Sequence, residues 1–314
     1  LAELVRNHGQ GNLLIEIDKG NVNQTSKLRA ALIQKQMTMI SDTYVFNLYF
    51  TSGSKTETLS ALKDYSTREL KISGSLDAQQ HTVVWLDPKT GKIAYIPTAI
   101  RNQGSSSIVT FKHKQNAAYV VIRHNATYSD IPANHWARKD LQIMLNKLII
   151  EGRTPQKFEP NQPITRAEFA EFIVRGLGLE GDPQAAGVFR DIRTSSDMAA
   201  YIGAAYKANI VAGVSADRFE PNSLITREQM ASMMVRAARA AGADILLSRT
   251  QSDYLVPYRD YNSLSTWARG DMARAIEAKI ISGTSVNQLG PKNNATRAEA
   301  AVMIKRLLEY VKLM

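Results

Sequence analysis

A threonine–arginine pair occurs three times in the second half of the sequence, at Thr165-Arg166, Thr226-Arg227 and Thr296-Arg297. Three residues after each threonine stands Glu168, Gln229 or Glu299. That spacing is a capping box: the threonine caps a helix and the Glu or Gln side chain reaches back to it. Thr165, Glu168, Thr226, Gln229, Thr296 and Glu299 therefore have a structural duty. The arginine does not follow from capping. A cation in the first helical turn faces the positive end of the macrodipole, at a cost of about 0.3–1 kcal/mol. Its threefold recurrence argues for a use that outweighs the cost. A guanidinium beside exposed helix N–H groups grips a carboxylate or phosphate with both oxygens. The plainer alternative is a solvated arginine whose aliphatic stem covers a neighbouring helix.

Other positions recur in the same register. Asp130, Asp191 and Asp260 each follow an aromatic residue by two positions (Tyr128, Phe189, Tyr258), and a glycine comes 22, 22 and 23 residues later, at Gly152, Gly213 and Gly283. Eight residues on stand Pro160, Pro221 and Pro291, and each arginine lies 14 residues after its glycine. The aspartates read as turn or cap formers, or as acceptors for a sugar hydroxyl or a neighbouring arginine. The glycines read as left-handed helix caps, or as points of close backbone approach by a ligand. Trp136 and Trp267 stand 16 residues before their glycines, where repeat two has Asp197. A tryptophan there either anchors the helix start or stacks on a sugar ring.

Catalytic signatures are missing. The five histidines (His8, His81, His113, His124, His135) lack metal-ligand spacing. There is no nucleophile elbow, phosphate loop or dinucleotide fingerprint. With no cysteine, thiolate metal sites are excluded. No metal and no cofactor are expected.

These residues need elements to hold them. After each arginine, apolar or small residues fall at +3, +6, +7, +10 and +11: Phe169, Phe172, Ile173, Gly176 and Leu177 in the first repeat. Met230, Met233, Met234, Ala237 and Ala238 follow in the second, and Ala300, Met303, Ile304, Leu307 and Leu308 in the third. That is one helical face, and a second helix precedes each glycine, as in Leu141, Met144, Leu145 and Leu148. One helix pair cannot bury its apolar face alone, so the three should pack together. Residues 127–180, 181–245 and 246–314 are read as the three repeats.

Residues 1–126 have the period of strands. The runs 12–17, 43–50, 81–86, 92–97, 107–111 and 118–122 are rich in β-branched and aromatic residues. Asp87-Pro88-Lys89-Thr90-Gly91 carries hairpin-turn residues, and 107–111 with 118–122 forms a second candidate hairpin. One helical stretch lies near Lys27 to Met39. The pattern predicts an antiparallel, sandwich-like domain. The whole is expected to be an α+β chain in two parts.

Composition is that of an ordinary globular protein, with 44% hydrophobic and 22% charged residues over 314 positions. The formal charge of +10 favours an anionic partner, but the basic residues are dispersed, which weakens a nucleic-acid reading. No window is apolar enough to span a membrane, and no membrane insertion is expected. The chain starts at Leu1-Ala2-Glu3-Leu4 with no signal peptide, and reads as a piece of something longer.

The repeats resemble S-layer homology modules of bacterial surface proteins. The likeness rests on Tyr128-Ser129-Asp130-Ile131-Pro132, His135-Trp136-Ala137, Phe158-Glu159-Pro160-Asn161 and Ile164-Thr165-Arg166-Ala167-Glu168. Repeat two matches through Phe189-Arg190-Asp191-Ile192, Phe219-Glu220-Pro221-Asn222 and Ile225 to Gln229; repeat three through Tyr258-Arg259-Asp260, Trp267-Ala268 and Ala295 to Glu299. The resemblance implies an all-α, pseudo-threefold bundle of three helical hairpins. Its grooves would bind an anionic secondary cell wall polysaccharide, often through a pyruvate ketal on N-acetylmannosamine. Arg166, Arg227 and Arg297 would meet the carboxylate. The implied setting is extracellular, at the wall or S-layer, with other surface-layer proteins as further partners. Gln229, Asp197 and Leu289-Gly290 depart from the pattern and predict unequal grooves. Residues 81–124 resemble a β-domain found beside such modules in large exported glycanases and surface proteins, through Trp85-Leu86-Asp87, Gly91 and the 108–122 segment. The expected role is a non-catalytic wall anchor; the alternatives are a structural S-layer subunit, or a polysaccharide-active enzyme with its activity in the β-half.

Overall fold

The computed structural model describes Arg6, residues 9–87 and residues 92–314. The turn residues Pro88, Lys89, Thr90 and Gly91, the opening residues Leu1 to Leu4, and His8 lie outside them. The chain divides into two compact units, Leu1–Asn125 and Ala126–Met314.

The first unit holds β1 (Asn12–Lys19), α1 (Val22–Gln34), β2 (Thr38–Met39), β3 (Tyr44–Ser52), β4 (Lys55–Thr58) and β5 (Ala61–Ser73). Then come β6 (His81–Leu86), β7 (Ile93–Ile96), β8 (Thr98–Gln103), β9 (Ser106–Gln115) and β10 (Ala118–Arg123). One antiparallel sheet runs β1-β3-β10-β6-β7, with β2 and β4 beside it; the other runs β5-β9-β8. Phe46, Val83, Trp85, Tyr119 and Val121 of the first sheet share a buried core with Leu70, Ile72, Val109 and Phe111 of the second. Alternation along β9 places every second residue in that core.

Three sequence expectations change here. The segments 107–111 and 118–122 are not a hairpin. β9 pairs with β5 and β8, whereas β10 pairs with β2, β3 and β6, so the chain changes sheets between them. Strand β5 was missed because its charged residues mask the alternation of Leu70 and Ile72. The helix begins at Val22, earlier than expected, because Asn21 and Gln24 form a capping box.

The second unit is helical. Its helices are α2 (Arg138–Asn146), α3 (Arg166–Gly176), α4 (Asp197–Lys207), α5 (Arg227–Ala240), α6 (Gln251–Leu255), α7 (Arg269–Glu277) and α8 (Arg297–Tyr310). Helices α3, α5 and α8 start at the recurrent arginines, each with a complete capping box. The apolar stripe of each is buried, including Phe169 and Ile173, Met230 and Met234, Ile304 and Leu308. The methionines are core residues here, as their helical spacing predicts.

Candidate functional site

The three helix starts meet through their backbones. The Ile164 N–H donates to the Ala295 carbonyl (3.0 Å), the Ile225 N–H to Ile164 (3.2 Å) and the Ala295 N–H to Ile225 (3.3 Å). The next N–H groups along each helix also cross to another repeat. Arg166 and Ala167 donate to Ser223 and Pro221, Arg227 and Glu228 to Asn293 and Pro291, and Arg297 and Ala298 to Gln162 and Pro160. Helix N–H groups expected to face a ligand are therefore satisfied by the following repeat, because an orphan donor in a buried seam must find a carbonyl.

The arginine side chains cross the same seams. Arg166 Nε donates to the Phe219 carbonyl (3.0 Å) and Nη2 to Ala212 (3.3 Å). Arg227 donates to Leu289 (2.9 Å) and Ser282 (2.6 Å), and Arg297 to Phe158 (2.9 Å) and Glu151 (2.7 Å). The first repeat thus holds the second, the second the third, and the third the first. All three arginines are buried, at 7%, 2% and 2% exposure. Burial pushes each guanidinium pKa down, against the opposing pull of nearby carboxylates.

The aspartates set the loops that receive these arginines. Asp130 accepts from the N–H groups of Phe158 (3.0 Å) and Glu159 (2.7 Å). Asp191 does the same for Phe219 and Glu220, and Asp260 for Leu289 and Gly290. Burial would raise Asp191, but these backbone donors hold its carboxyl below the usual range. The carbonyl next to each clamped N–H is the arginine's acceptor. Asp, loop and arginine form one relay across the seam. The following residue is left-handed in all three repeats, at Glu159 (φ 63°), Glu220 (φ 59°) and Gly290 (φ 59°), which makes glycine the unstrained choice in repeat three.

Gly152, Gly213 and Gly283 are not helix caps. The left-handed residues after α2, α4 and α7 are Leu148, Asn209 and Lys279. Each glycine instead lies under its own loop. A Cβ at Gly213 would stand 2.2 Å from the Ser215 carbonyl oxygen and 2.6 Å from that of Arg218. The tryptophans are exposed, Trp136 by 64% and Trp267 by 58%. Trp136 stacks against His135, and Trp267 sits in a short 3-10 turn, Thr266–Ala268. That turn is tied down by Glu228, whose carboxylate accepts from the Ser265 N–H and hydroxyl (both 3.0 Å) and from Lys292 (2.6 Å).

One cavity of about 330 Å³ gathers Arg166, Gly213, Gln229 and Trp267 with Ser232 and Arg236. It takes residues from all three repeats. Arg236 was missed by the sequence reading, although Arg175, Arg236 and Arg306 all stand nine residues after a helix-start arginine. The seam at Arg297 looks different. Arg297 Nη1 donates to Glu168 (2.7 Å), which Arg153 also grips with Nε (2.7 Å) and Nη2 (2.8 Å). Arg175 pairs with Glu171 (2.7 Å) and Glu151 (2.9 Å). Burial alone would raise Glu168, but its bonds from Arg153 and Thr165 and the charge of Arg297 hold it below its usual value. A carboxyl lowered on folding stabilises above its unfolded value, about 4.3, and loses that contribution as pH falls through the lowered folded one. Glu168→Gln should therefore flatten the fall in urea midpoint between about pH 5 and pH 3. An unchanged slope would reject this role.

Among known proteins, the sequence pattern of the S-layer homology domain matches residues 127–170, 188–231 and 257–301. Residues 127–301 are a triplet of S-layer homology domains. The chain is 34% identical over 242 residues to an amylopullulanase of Thermoanaerobacterium thermosulfurigenes, covering 76% of this chain and 12% of that protein. It is 36% identical over 190 residues to exoglucanase XynX of Acetivibrio thermocellus (60% and 17%). It is 31% identical over 180 residues to the S-layer protein sap of Bacillus anthracis (57% and 21%). The chain thus spans about a fifth or less of these relatives. The amylopullulanase match is longer than the helical unit, so it takes in part of the β unit. S-layer homology domains are non-catalytic cell-surface anchoring modules of S-layer proteins and glycanases. No helix among the described residues is long and apolar enough to cross a membrane.

Proposed function

We propose that the S-layer homology triplet anchors a larger exported protein to the bacterial wall by holding an anionic, pyruvylated wall polysaccharide in grooves at its seams. In this reading the three repeats form a pseudo-threefold bundle. Arg166, Arg227 and Arg297 supply positive charge at the seams. Asp130, Asp191 and Asp260 fix the loops, Gly152, Gly213 and Gly283 let those loops close, and Trp136 and Trp267 offer faces for sugar rings. The protein is extracellular and wall-associated. The observation that carries the reading is the cavity where Arg166, Gly213 and Trp267 converge from three repeats. An arginine and an exposed indole together suit a sugar that bears a carboxylate.

The test is a pulldown with purified wall sacculi, before and after chemical removal of the secondary polymer. Binding should vanish with the polymer; equal binding to stripped sacculi would reject the proposal. The purified chain should release no product from xylan, glucan or peptidoglycan. Trp267→Ala should weaken sacculus binding about tenfold, in line with an aromatic stacking contribution of about 0.5–1.5 kcal/mol, and leave the unfolding midpoint nearly unchanged because the ring is mostly exposed. A large drop in that midpoint with unchanged binding would make the ring a structural anchor instead.

A further inference from the structure

Resting on the anchoring role above, we propose that the groove beneath Trp267 is the one that holds the carboxylate, and that Gln229 is the residue that selects it. The three seams differ position by position. At the third helical residue, Glu168 and Glu299 are carboxylates, and each accepts from the arginine arriving from the preceding repeat: Arg297 at 2.7 Å and Arg227 at 3.4 Å. Those seams supply an internal anion. Repeat two has Gln229, whose carbonyl oxygen is committed to the Thr226 N–H (3.0 Å) and bears no charge. Among the described residues, Arg166 has no carboxylate within ion-pair distance; Glu220 and Asp191 act on it only from farther away.

The rest of the groove follows the same logic. Arg236 lines the cavity without an ion pair among the described residues, whereas its counterpart Arg175 is held by two glutamates. One of those, Glu171, is replaced in repeat two by Ser232. Ser232 is among the residues lining the cavity and is 5% exposed, and among the described residues its buried hydroxyl has no hydrogen-bond partner. An unpartnered hydroxyl beside a cavity is satisfied by a bound water or by a ligand atom that displaces it. Arg153, which bridges Glu168 and Glu159 in repeat one, has Val214 in its place here. Arg166, Arg236 and Ser232 thus line a space with no carboxylate among its described lining residues, beneath an indole that Glu228 fixes through Ser265. Repeats one and three have Ala167 and Ala298 where repeat two has Glu228. The ligand these groups fit is a sugar ring bearing one carboxylate: the ring on Trp267, the anion between Arg166 and Arg236, and an oxygen on Ser232.

The test uses the full chain and sacculi that retain their polymer, with affinity read by sedimentation depletion. Gln229→Glu supplies the internal anion of the other seams, keeps the capping box and should weaken binding about tenfold or more. Arg236→Gln should weaken it to a similar degree, and because the side chain is only partly buried and makes no ion pair among the described residues, the fold should tolerate the change. Unfolding midpoints establish that both variants are folded. Wild-type affinity in both would overturn the assignment of this groove, while the anchoring role would stand on wild-type binding that disappears with the polymer. Failure of the wild type to distinguish intact from stripped sacculi would reject the anchoring role itself, and the groove assignment with it.

Discussion

Arg297→Ala should lower the unfolding free energy of the helical unit by about 3–5 kcal/mol, the range for removing one partner of a buried ion pair. The side chain is 2% exposed. It donates to two carbonyls and to Glu168, and its guanidinium lies 4.7 Å from the centre of the Phe158 ring and 5.2 Å from that of Phe172. Alanine leaves the Phe158 and Glu151 carbonyls without this donor and opens a void between repeats three and one. Lysine restores the charge but not the fork, and should recover less than half of the loss. Urea unfolding followed by far-ultraviolet circular dichroism measures both. A cost below about 1 kcal/mol for alanine would show that the seam does not depend on this side chain. Arg166, which has no carboxylate within ion-pair distance among the described residues, should cost less on truncation, about 1–3 kcal/mol.

Gly213→Ala should cost about 1–3 kcal/mol and weaken wall binding at the same time. Both clashes of the new methyl group are with main-chain oxygens, which cannot rotate away as a side chain would. The loop from 212 to 218 must move, and with it the Ala212 carbonyl that receives Arg166 Nη2. Stability and affinity are thus coupled through one peptide group. An alanine variant with wild-type midpoint and wild-type sacculus binding would show that the loop adapts without disturbing the groove.

Much of this was legible in the sequence because the repeat register exposes it. Threonine at the cap and Glu or Gln three residues on can be read without coordinates, since both act within one helical turn. The recurrence of arginine, aspartate and glycine was equally plain, but the partners of those residues were not. Arg166 reaches Phe219 and Arg297 reaches Phe158, contacts across seams that no local spacing announces. The tryptophans were harder to place because the same residue suits a helix anchor and a surface platform; both rings are exposed and lie outside the core. In the β unit, local pattern placed β6 and β7 side by side but joined β9 to β10 wrongly. Neighbours in sequence need not be neighbours in a sheet when the chain passes between two layers. Strand β1 shows another limit. Its run of Leu13, Leu14, Ile15 and Ile17 is apolar, yet it forms an exposed strand next to β3.

The cyclic order of the arginine contacts bears on how the helical unit is assembled. The first two seams join residues 53 and 62 apart in sequence, through Arg166–Phe219 and Arg227–Leu289. The last joins residues 139 apart, through Arg297–Phe158, and no connecting segment runs directly across it. Chain entropy rises only with the logarithm of loop length, so closing the longer circuit costs less than about 1 kcal/mol more than closing the shorter ones. The contacts, not the tether, hold a seam shut. Spacers between repeats are therefore nearly free to lengthen, which accounts for the long stretch from Ala241 to Pro257 before the third repeat and the short helix α6 within it. On sequence separation alone, the two local seams are expected to form before Arg297 reaches Phe158.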